Sequence, residues 1–367
     1  MEEVVFLPVH TVKSFMKDVF IGLGVPDDDA DICTDVLITS DLRGIDSHGI
    51  GRLKMYYDRI REGVQQPVTT IKIVKETETT CVMDGHNGMG HVIGYRAMEA
   101  AITKAKKYGL GSTAVRNSTH YGIAGYYSLM AIQQGMCGLT VTNARPSIAP
   151  TFAVDPMLGT NPLTFGAPTD ETFPFLIDCA TSITQRGKIE FYERANKATP
   201  AGMAIDREGN FHTDTQKLLK DLVTGDAALL PLGGMGELFG GHKGYGWATM
   251  VEILSSALQE GSYLKGLLGY DEQGTRQPYK LGHFFLALNI EHFLPLEKFK
   301  HIAGNIMRAL RSSRKAPGEA RIYTAGEKEY EMEKIRQKEG IPLNKNLQKN
   351  ILTMKRELHL NHYTFPF

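Results

Sequence analysis

A strand, a long helix and a second strand follow one another in residues 79–118, TTCVMDGHNGMGHVIGYRAMEAAITKAKKYGLGSTAVRNS. Residues 79–85 and 111–118 are typical of strands. Residues 91–109 are typical of a helix, because they end in a basic turn and a glycine stop. The same alternation continues in predicted strands and helices on either side, at 69–76, 122–135, 136–144, 172–181, 244–259 and 283–290. This order predicts the α/β class.

The first 65 residues differ from this pattern, because they are predicted to be helical. Residues 10–24 carry apolar side chains at helical spacing and end in glycine. Residues 26–44 begin with a proline, which is common at helix starts, and three aspartates, whose charges stabilise the positive N-terminal end of a helix. A third helix is predicted to start near Asp46 or Ser47, with His48 in its first turn.

The sequence pattern of the C-terminal segment also predicts helices. Two charged helices are predicted around a turn at Ile341 and Pro342. We therefore expect three parts: an N-terminal helical segment at 1–70, an α/β region at 71–320, and C-terminal helices at 321–367.

The composition of the chain excludes several function classes. The chain has 367 residues, with 41 basic and 41 acidic side chains, and this zero balance argues against a nucleic-acid or membrane-surface partner. None of the four cysteines forms a CxxC pair, so the sequence predicts no metal site. Scattered cysteines fit a reducing compartment, and no basic segment precedes an apolar run at the N-terminus. We therefore expect a cytoplasmic protein.

The segment DSHGIGRLKMYY, residues 46–57, concentrates groups suited to acid–base chemistry. On a helix, His48, Arg52 and Tyr56 fall at i, i+4 and i+8, and therefore on one face. A proton carrier, a fixed cation and a phenol would then face the same space. Gly49 and Gly51 are poor helix formers, and glycine is explained here if another group approaches the backbone closely.

Two glycine-rich loops are candidates for binding a cofactor. Gly88, Gly90 and Gly94 form GxGxxxG between a strand and a helix, but no acidic residue ends the next strand to hold a ribose. The alternative for this loop is a tight turn.

The second glycine-rich loop, at 232–248, contains more glycines and places His242 and Lys243 just before a helix. Backbone amides and the lysine charge would suit a phosphate there. The alternative is a flexible surface loop.

A second histidine stands out in NSTHYGIAG, residues 117–125. His120 lies where a predicted strand gives way to a helix, a place where α/β proteins bind ligands. Neither His120 nor His48 has a neighbouring nucleophile motif, since DSHGIG is not GxSxG. Ser47 is therefore interpreted as a hydrogen-bond partner of His48.

Taken together, these segments resemble the type-2 malate/L-lactate dehydrogenase family, which includes sulfolactate, ureidoglycolate and related reductases. The resemblance spans nearly the whole chain in eight ordered segments: DLRGIDSHGIGRL, NSTHYGIAGYY, TNARPSIAPTF, MLGTNPLTFGAP, DCATSITQRGKI, LLPLGG, GHKGYG and GEKEYEMEKIRQKEGIPL. It is closest to the malate dehydrogenase branch. The resemblance implies a mixed-sheet, non-Rossmann nicotinamide-binding domain, a helical domain built from both chain ends, and a homodimer with its active site near the subunit interface.

The resemblance also implies roles for individual residues. The catalytic histidine falls on His48 with Ser47 as its orienting partner, and some members assign the base role to the position of His120. Arg52 falls on the carboxylate-binding arginine and Thr160 on a substrate contact. The implied cofactor contacts lie in four short segments: His120, Tyr121, Gly122, Ile123, Ala124, Asp178, Cys179, Ala180, Leu232, Gly233, Gly326 and Glu327.

The function implied is hydride transfer between NAD or NADP and a 2-hydroxy or 2-oxo acid, with malate and oxaloacetate favoured. The alternatives within the family are lactate, sulfolactate, ureidoglycolate and cyclic imines. An alternative of another class is a nicotinamide-binding protein without turnover.

Malate carries a second carboxylate, so a malate enzyme needs a second cation. Arg145 is the candidate from the sequence. The alternatives for Arg145 are a surface position, or pairing with Asp155 or with the cofactor phosphates. Tyr56 is predicted to close the same wall as His48 and Arg52, with a packing role as the alternative.

Overall fold

The computed structural model describes residues 4–367, apart from the side chain of Arg194. Its α-helices are α1 Val9–Gly22, α2 Asp27–Leu42, α3 Leu53–Arg61, α4 Gly90–Tyr108, α5 Gly125–Gln133, α6 Arg186–Arg194, α7 Thr215–Thr224, α8 Gly241–Leu254, α9 Leu296–Arg311, α10 Glu327–Glu339 and α11 Lys345–Glu357. Its strands are β1 Val5–Leu7, β2 Lys72–Glu76, β3 Thr80–Asp84, β4 Leu110–Ser118, β5 Met136–Thr142, β6 Leu163–Ala167, β7 Phe175–Cys179, β8 Ala204–Asp206, β9 Ala227–Leu229, β10 Leu281–Asn289 and β11 Ile341–Leu343.

The central element is a seven-stranded sheet with the order β2-β3-β4-β10-β5-β6-β7. Only β3 and β4 run parallel, and every other neighbouring pair in the sheet is antiparallel. The parallel pair is the one that α4 connects, because a parallel crossover needs a long connection. The prediction of an α/β protein with a mixed, non-Rossmann sheet is confirmed.

A second body combines both ends of the chain. β1 pairs antiparallel with β11, so the segment predicted as a turn between the last two helices is a short strand. Apolar side chains of α1, α2, α3 and α11 form one buried cluster with these strands, including Phe15, Phe20, Leu53 and Ile351. Burial of such a cluster stabilises the arrangement by roughly 25 cal/mol per Å² of apolar surface.

The local signals for the first two helices and for α4 are confirmed. Pro26 precedes α2, and three aspartates occupy its first turn. Gly109 ends α4 with φ +84°, a conformation that glycine adopts without steric cost.

The prediction that a helix starts near Asp46 or Ser47 is wrong. A 3₁₀ turn covers Ile50–Arg52, and α3 begins only at Leu53. The reason is the buried carboxyl group of Asp41, which accepts a hydrogen bond from Ile50 N at 2.8 Å. In a helix that started at Asp46, this N–H would donate to the carbonyl oxygen of Asp46, four residues earlier.

A small two-stranded sheet, β8 with β9, was not predicted from the sequence, nor were the helices α6, α7 and α9. No helix within residues 4–367 combines the length and the apolar character needed to cross a bilayer.

Candidate active site

His48 lies in an irregular segment between α2 and α3. Its Nδ1 lies 2.8 Å from the Oγ of Ser47, so the predicted partnership between these two side chains is present. Burial, together with the positive charge of Arg52, lowers the pKa of His48 to about 4. The imidazole is therefore neutral near pH 7 and able to accept a proton.

The close approach expected at the two glycines of this segment is also present. A Cβ on Gly49 would lie 1.8 Å from Asp41 Oδ1, and a Cβ on Gly51 would lie 2.9 Å from the carbonyl oxygen of Asp46. Glycine is needed at both positions because the chain itself occupies this space.

The guanidinium group of Arg52 is held in place through its Nε. Its Nε donates to the carbonyl oxygen of Ser47 at 2.7 Å. Among the described residues, the terminal nitrogens Nη1 and Nη2 have neither a hydrogen-bond partner nor an ion pair, and the residue is half-buried. Two parallel donors are therefore free for a planar anion such as a carboxylate.

His120 follows β4 and stacks on His48, with ring centroids 5.5 Å apart and planes at 25°. Its Nδ1 lies 2.5 Å from Tyr56 Oη and accepts a hydrogen bond from Gly122 N at 3.3 Å. Because a backbone N–H can only donate, Nδ1 is an acceptor and the neutral ring carries its proton on Nε2. Burial lowers the pKa of His120 well below its ordinary value, with further contributions from His48 and Arg52.

The chain after His120 is joined to the end of β7. Gly125 N, at the start of α5, donates to Asp178 Oδ2 at 2.7 Å, and Thr164 Oγ1 donates to Asp178 Oδ1 at 3.0 Å. The remaining residues of this segment are Tyr121, Gly122 with φ +81°, Ile123 and Ala124, and its three non-glycine side chains are buried. Two segments to which the resemblance assigns cofactor contacts therefore lie side by side.

Thr181 connects three of the segments that contain predicted site residues. Its N–H and its hydroxyl both donate to the carbonyl oxygen of Thr160, at 2.9 and 3.1 Å, and its own carbonyl accepts from Leu232 N at 2.9 Å. Cys179 and Ala180, both half-buried, precede it, and Gly233 follows Leu232. The strand end, the Thr160 loop and the start of the glycine-rich loop are thus in contact.

The tail reaches the same strand. Leu176 N in β7 donates to the carbonyl oxygen of Ala325 at 3.2 Å, which places Gly326 against β7. Glu327 is buried, accepts hydrogen bonds from Thr324 N and Oγ1 at 3.0 and 3.2 Å, and pairs with Arg321. Its carboxylate is thus already engaged within the chain.

The glycine-rich loop before α8 is folded onto the start of that helix. A Cβ on Gly241 would lie 2.0 Å from the carbonyl oxygen of Gly234, and one on Gly244 would lie 2.1 Å from that of Leu232. These glycines permit close packing of loop on helix. His242 and Lys243 are exposed in the first turn of α8, and their contact with a phosphate stays a prediction.

The GxGxxxG pattern serves internal packing. A Cβ on Gly90 would lie 2.3 Å from the carbonyl oxygen of Thr119, and one on Gly94 would lie 2.7 Å from the ring of Tyr127. Both glycines allow α4 to approach its neighbours.

Arg145 is directed toward α7. Its Nη2 donates to the carbonyl oxygen of Val223 at 3.1 Å, near the C-terminal end of that helix. The contact is exposed, which agrees with the surface position considered from the sequence, and Asp155 is not its partner. The role of Arg145 with a distal carboxylate stays a prediction.

Two buried hydroxyl groups, one within the segments assigned to the cofactor and one two residues beyond Ala180, lack hydrogen-bond partners among the described residues. Tyr121 Oη and Ser182 Oγ are buried, and no group among the described residues forms a hydrogen bond with either. Unpaired buried hydroxyls are costly, so a polar ligand at these segments fits the residues present. Within residues 4–367, no group of three or more His, Cys, Asp or Glu side chains is placed to hold a metal ion.

Sequence reasoning missed two residues beside the histidines. Arg59 in α3 contributes to the lowered pKa of His120, and its guanidinium stacks over Tyr279. His91 is fully buried, its ring centroid lies 4.6 Å from that of Tyr56, and both its nitrogens lack hydrogen-bond partners among the described residues. Arg59 was detectable, because it lies three residues after Tyr56 in α3 and therefore on the same helical face.

Comparison with known proteins adds a consistent set of matches. A sequence model of the family described as malate/L-lactate dehydrogenase matches residues 7–352. Malate dehydrogenase from Pyrococcus horikoshii is 45% identical over 342 residues, covering 93% of this chain and 92% of that protein. L-sulfolactate dehydrogenase from Methanocaldococcus jannaschii is 39% identical over 351 residues, covering 95% and 96%. The crystal structure of malate dehydrogenase from Entamoeba histolytica superimposes with a TM-score of 0.95 at 45% identity, covering 100% of both chains.

Proposed function

This chain belongs to the malate/L-lactate dehydrogenase family and is a hydroxy-acid dehydrogenase, and we propose that it interconverts malate and oxaloacetate with NAD or NADP. The malate dehydrogenases among its relatives, at 45% identity, favour this substrate over sulfolactate, whose named dehydrogenase is 39% identical.

The observation that carries the proposal is the stacking of two neutral histidines, His48 and His120, next to an arginine with free terminal nitrogens. Oxidation of a 2-hydroxy acid requires a held carboxylate, removal of the hydroxyl proton and departure of a hydride from C2. Arg52 would bind the C1 carboxylate through Nη1 and Nη2, which fixes the position of C2.

We assign the base role to His48. With its Nδ1–H donated to Ser47 Oγ, the neutral ring keeps a lone pair on Nε2 for the hydroxyl proton. His120 carries its proton on Nε2 and would donate a hydrogen bond to the oxygen on C2. Tyr56 would hold His120 in this tautomer through the bond to Nδ1.

The cofactor would be held by the joined segments at 120–124, 178–180 and 232–233, with the tail at 326–327. When bound, the nicotinamide supplies the acceptor for the hydride from C2. The unpaired hydroxyls of Tyr121 and Ser182 support a polar ligand at these segments.

We also propose that the protein is a cytoplasmic homodimer with the three parts 1–70, 71–320 and 321–367. Support for a partner surface comes from Leu238 and Phe239, which are 85% and 81% exposed in the loop that follows Gly233. Exposed apolar side chains in such a cluster are typical of an interface.

The proposal is tested by reduction of oxaloacetate, pyruvate and 3-sulfopyruvate with NADH and with NADPH, followed as loss of the reduced-nicotinamide absorbance. We expect the highest kcat/KM with oxaloacetate. Preference for pyruvate or 3-sulfopyruvate would replace malate with lactate or sulfolactate. Binding of reduced cofactor, seen by its fluorescence, without turnover of any acid would favour the nicotinamide-binding protein.

A further inference from the structure

The active-site face of α3 continues one turn beyond Tyr56. Arg52 directly precedes α3, and Tyr56 and Arg59 follow it inside the helix, three residues apart and therefore on one face. At about 1.5 Å per residue, Arg52 and Arg59 begin roughly 10 Å apart along the helix axis. The side chain between them, Tyr56, ends on His120.

Arg59 has a polar surrounding that lacks an anion. Its Cζ lies 4.4 Å from the ring centroid of Tyr279, and within residues 4–367 it forms no ion pair with a carboxylate. The nearby carboxylate of Glu62 is taken by Arg276 at 2.6 Å. Burial lowers the pKa of Arg59 although Tyr279, which is hydrogen-bonded to it, acts in the opposite direction. No carboxylate of the described residues is among the main contributions to this balance.

The contrast with Arg61, two residues later, shows what is unusual about Arg59. Arg61 points from another face of α3 and pairs with Glu357 and Tyr57. A half-buried guanidinium without such a partner loses hydration and gains no compensating ion pair. A bound anion would supply that compensation.

The charge of Arg59 acts on the reacting groups. It is one of the charges that lower the pKa of His120, after those of His48 and Arg52. Arg145, the candidate from the sequence, instead directs its guanidinium to the carbonyl of Val223. Arg59 also follows Tyr56 by one turn of α3, and the Tyr56 hydroxyl contacts His120. Arg59 rather than Arg145 is therefore our candidate for the second cation.

We propose that Arg59 binds the distal acid group of the substrate while Arg52 binds its C1 carboxylate, so that the site selects 2-oxo acids with a second anionic group on C3. This inference rests on the proposed function. A four-carbon dicarboxylate is the favoured ligand class, and pyruvate offers nothing for Arg59 to bind.

The test compares Arg59→Met with Arg61→Met, which removes an arginine from the same helix but from another face. We expect Arg59→Met to lower kcat/KM for oxaloacetate about 10- to 150-fold, mostly through KM, the range for a hydrogen bond to a charged group. The kcat/KM for pyruvate should be nearly unchanged. Arg61→Met should leave the ratio of the two substrates unchanged, and Arg59→Lys should recover part of the oxaloacetate activity.

An equal loss with both substrates, or no loss with either, would overturn the inference. Equilibrium binding separates this failure from failure of the proposed function. With saturating cofactor, malate should raise the thermal midpoint of the wild-type protein and of Arg61→Met, but not that of Arg59→Met. If the wild type turns over no acid but shows this pattern, the proposed function fails while the role of Arg59 stands. If malate stabilises Arg59→Met as much as the wild type, the role of Arg59 fails.

Discussion

Replacement of Gly49 by alanine tests how the segment that carries His48 is built. A Cβ at this position would lie 1.8 Å from Oδ1 and 2.1 Å from Cγ of Asp41. The carboxyl group must move, and its hydrogen bond from Ile50 N must then break or bend. Overpacking costs about 1–3 kcal/mol, and a buried N–H without its partner costs about 1–3 kcal/mol. We therefore expect Gly49→Ala to lower the free energy of unfolding by about 2–6 kcal/mol.

The assay is urea denaturation followed by circular dichroism, together with kcat at a temperature well below the unfolding midpoint. His48 directly precedes Gly49, so kcat should fall even where the variant is fully folded. Gly246→Ala is the matched control, because no atom lies within 4 Å of its added Cβ and the residue lies inside α8. Alanine there should add about 0.5–1 kcal/mol of stability. A Gly49→Ala protein as stable and active as Gly246→Ala would refute this account of the segment.

The remaining predictions concern the histidines and Arg52. His48→Ala should lower kcat by about 10²–10⁴-fold while reduced-cofactor fluorescence still reports binding, whereas His120→Ala should weaken both. If His120→Ala abolishes turnover and His48→Ala barely changes it, the base assignment is reversed. Arg52→Lys keeps the charge but loses the bidentate contact with the carboxylate, so the transition-state stabilisation measured by kcat/KM should fall by about 1.5–3 kcal/mol. Unchanged kcat/KM with every 2-oxo acid would show that Arg52 does not bind the substrate. Burial lowers the pKa of His91 from 6.5 to about 3, so the unfolded chain gains a proton below about pH 6.5 that the folded protein does not, and stability falls as the pH drops toward about 3. His91→Leu should therefore stabilise the protein more at about pH 5 than at about pH 8 in urea titrations, and equal effects at both pH values would contradict this.

Local patterns were enough to predict much of the fold. The proline and aspartates before α2, the glycine after α4 and the alternation of strands with helices each act within a few residues of the structure they specify. The pairing of Ser47 with His48 is local in the same way. The ordered segments of the resemblance added the family, because their number and order are specific where each one alone is not.

The interpretation of residues 46–52 as helix was wrong for a tertiary reason. The spacing of His48, Arg52 and Tyr56 fits a helix, but Asp41 enters from α2 and binds Ile50 N. The two histidines still meet, because His120 is brought to His48 by the sheet and not by helical periodicity.

Contacts between distant parts of the chain were beyond the reach of sequence patterns. β10 inserts between β4 and β5, and β1 pairs with β11 from the other end of the chain. Asp178 binds the first turn of α5, and the guanidinium of Arg59 meets the ring of Tyr279. Periodicity and capping report which face of an element is apolar and where the element ends, because these depend on neighbouring residues. Which side chain meets which across the core depends on how the elements pack, and packing is a property of the whole chain.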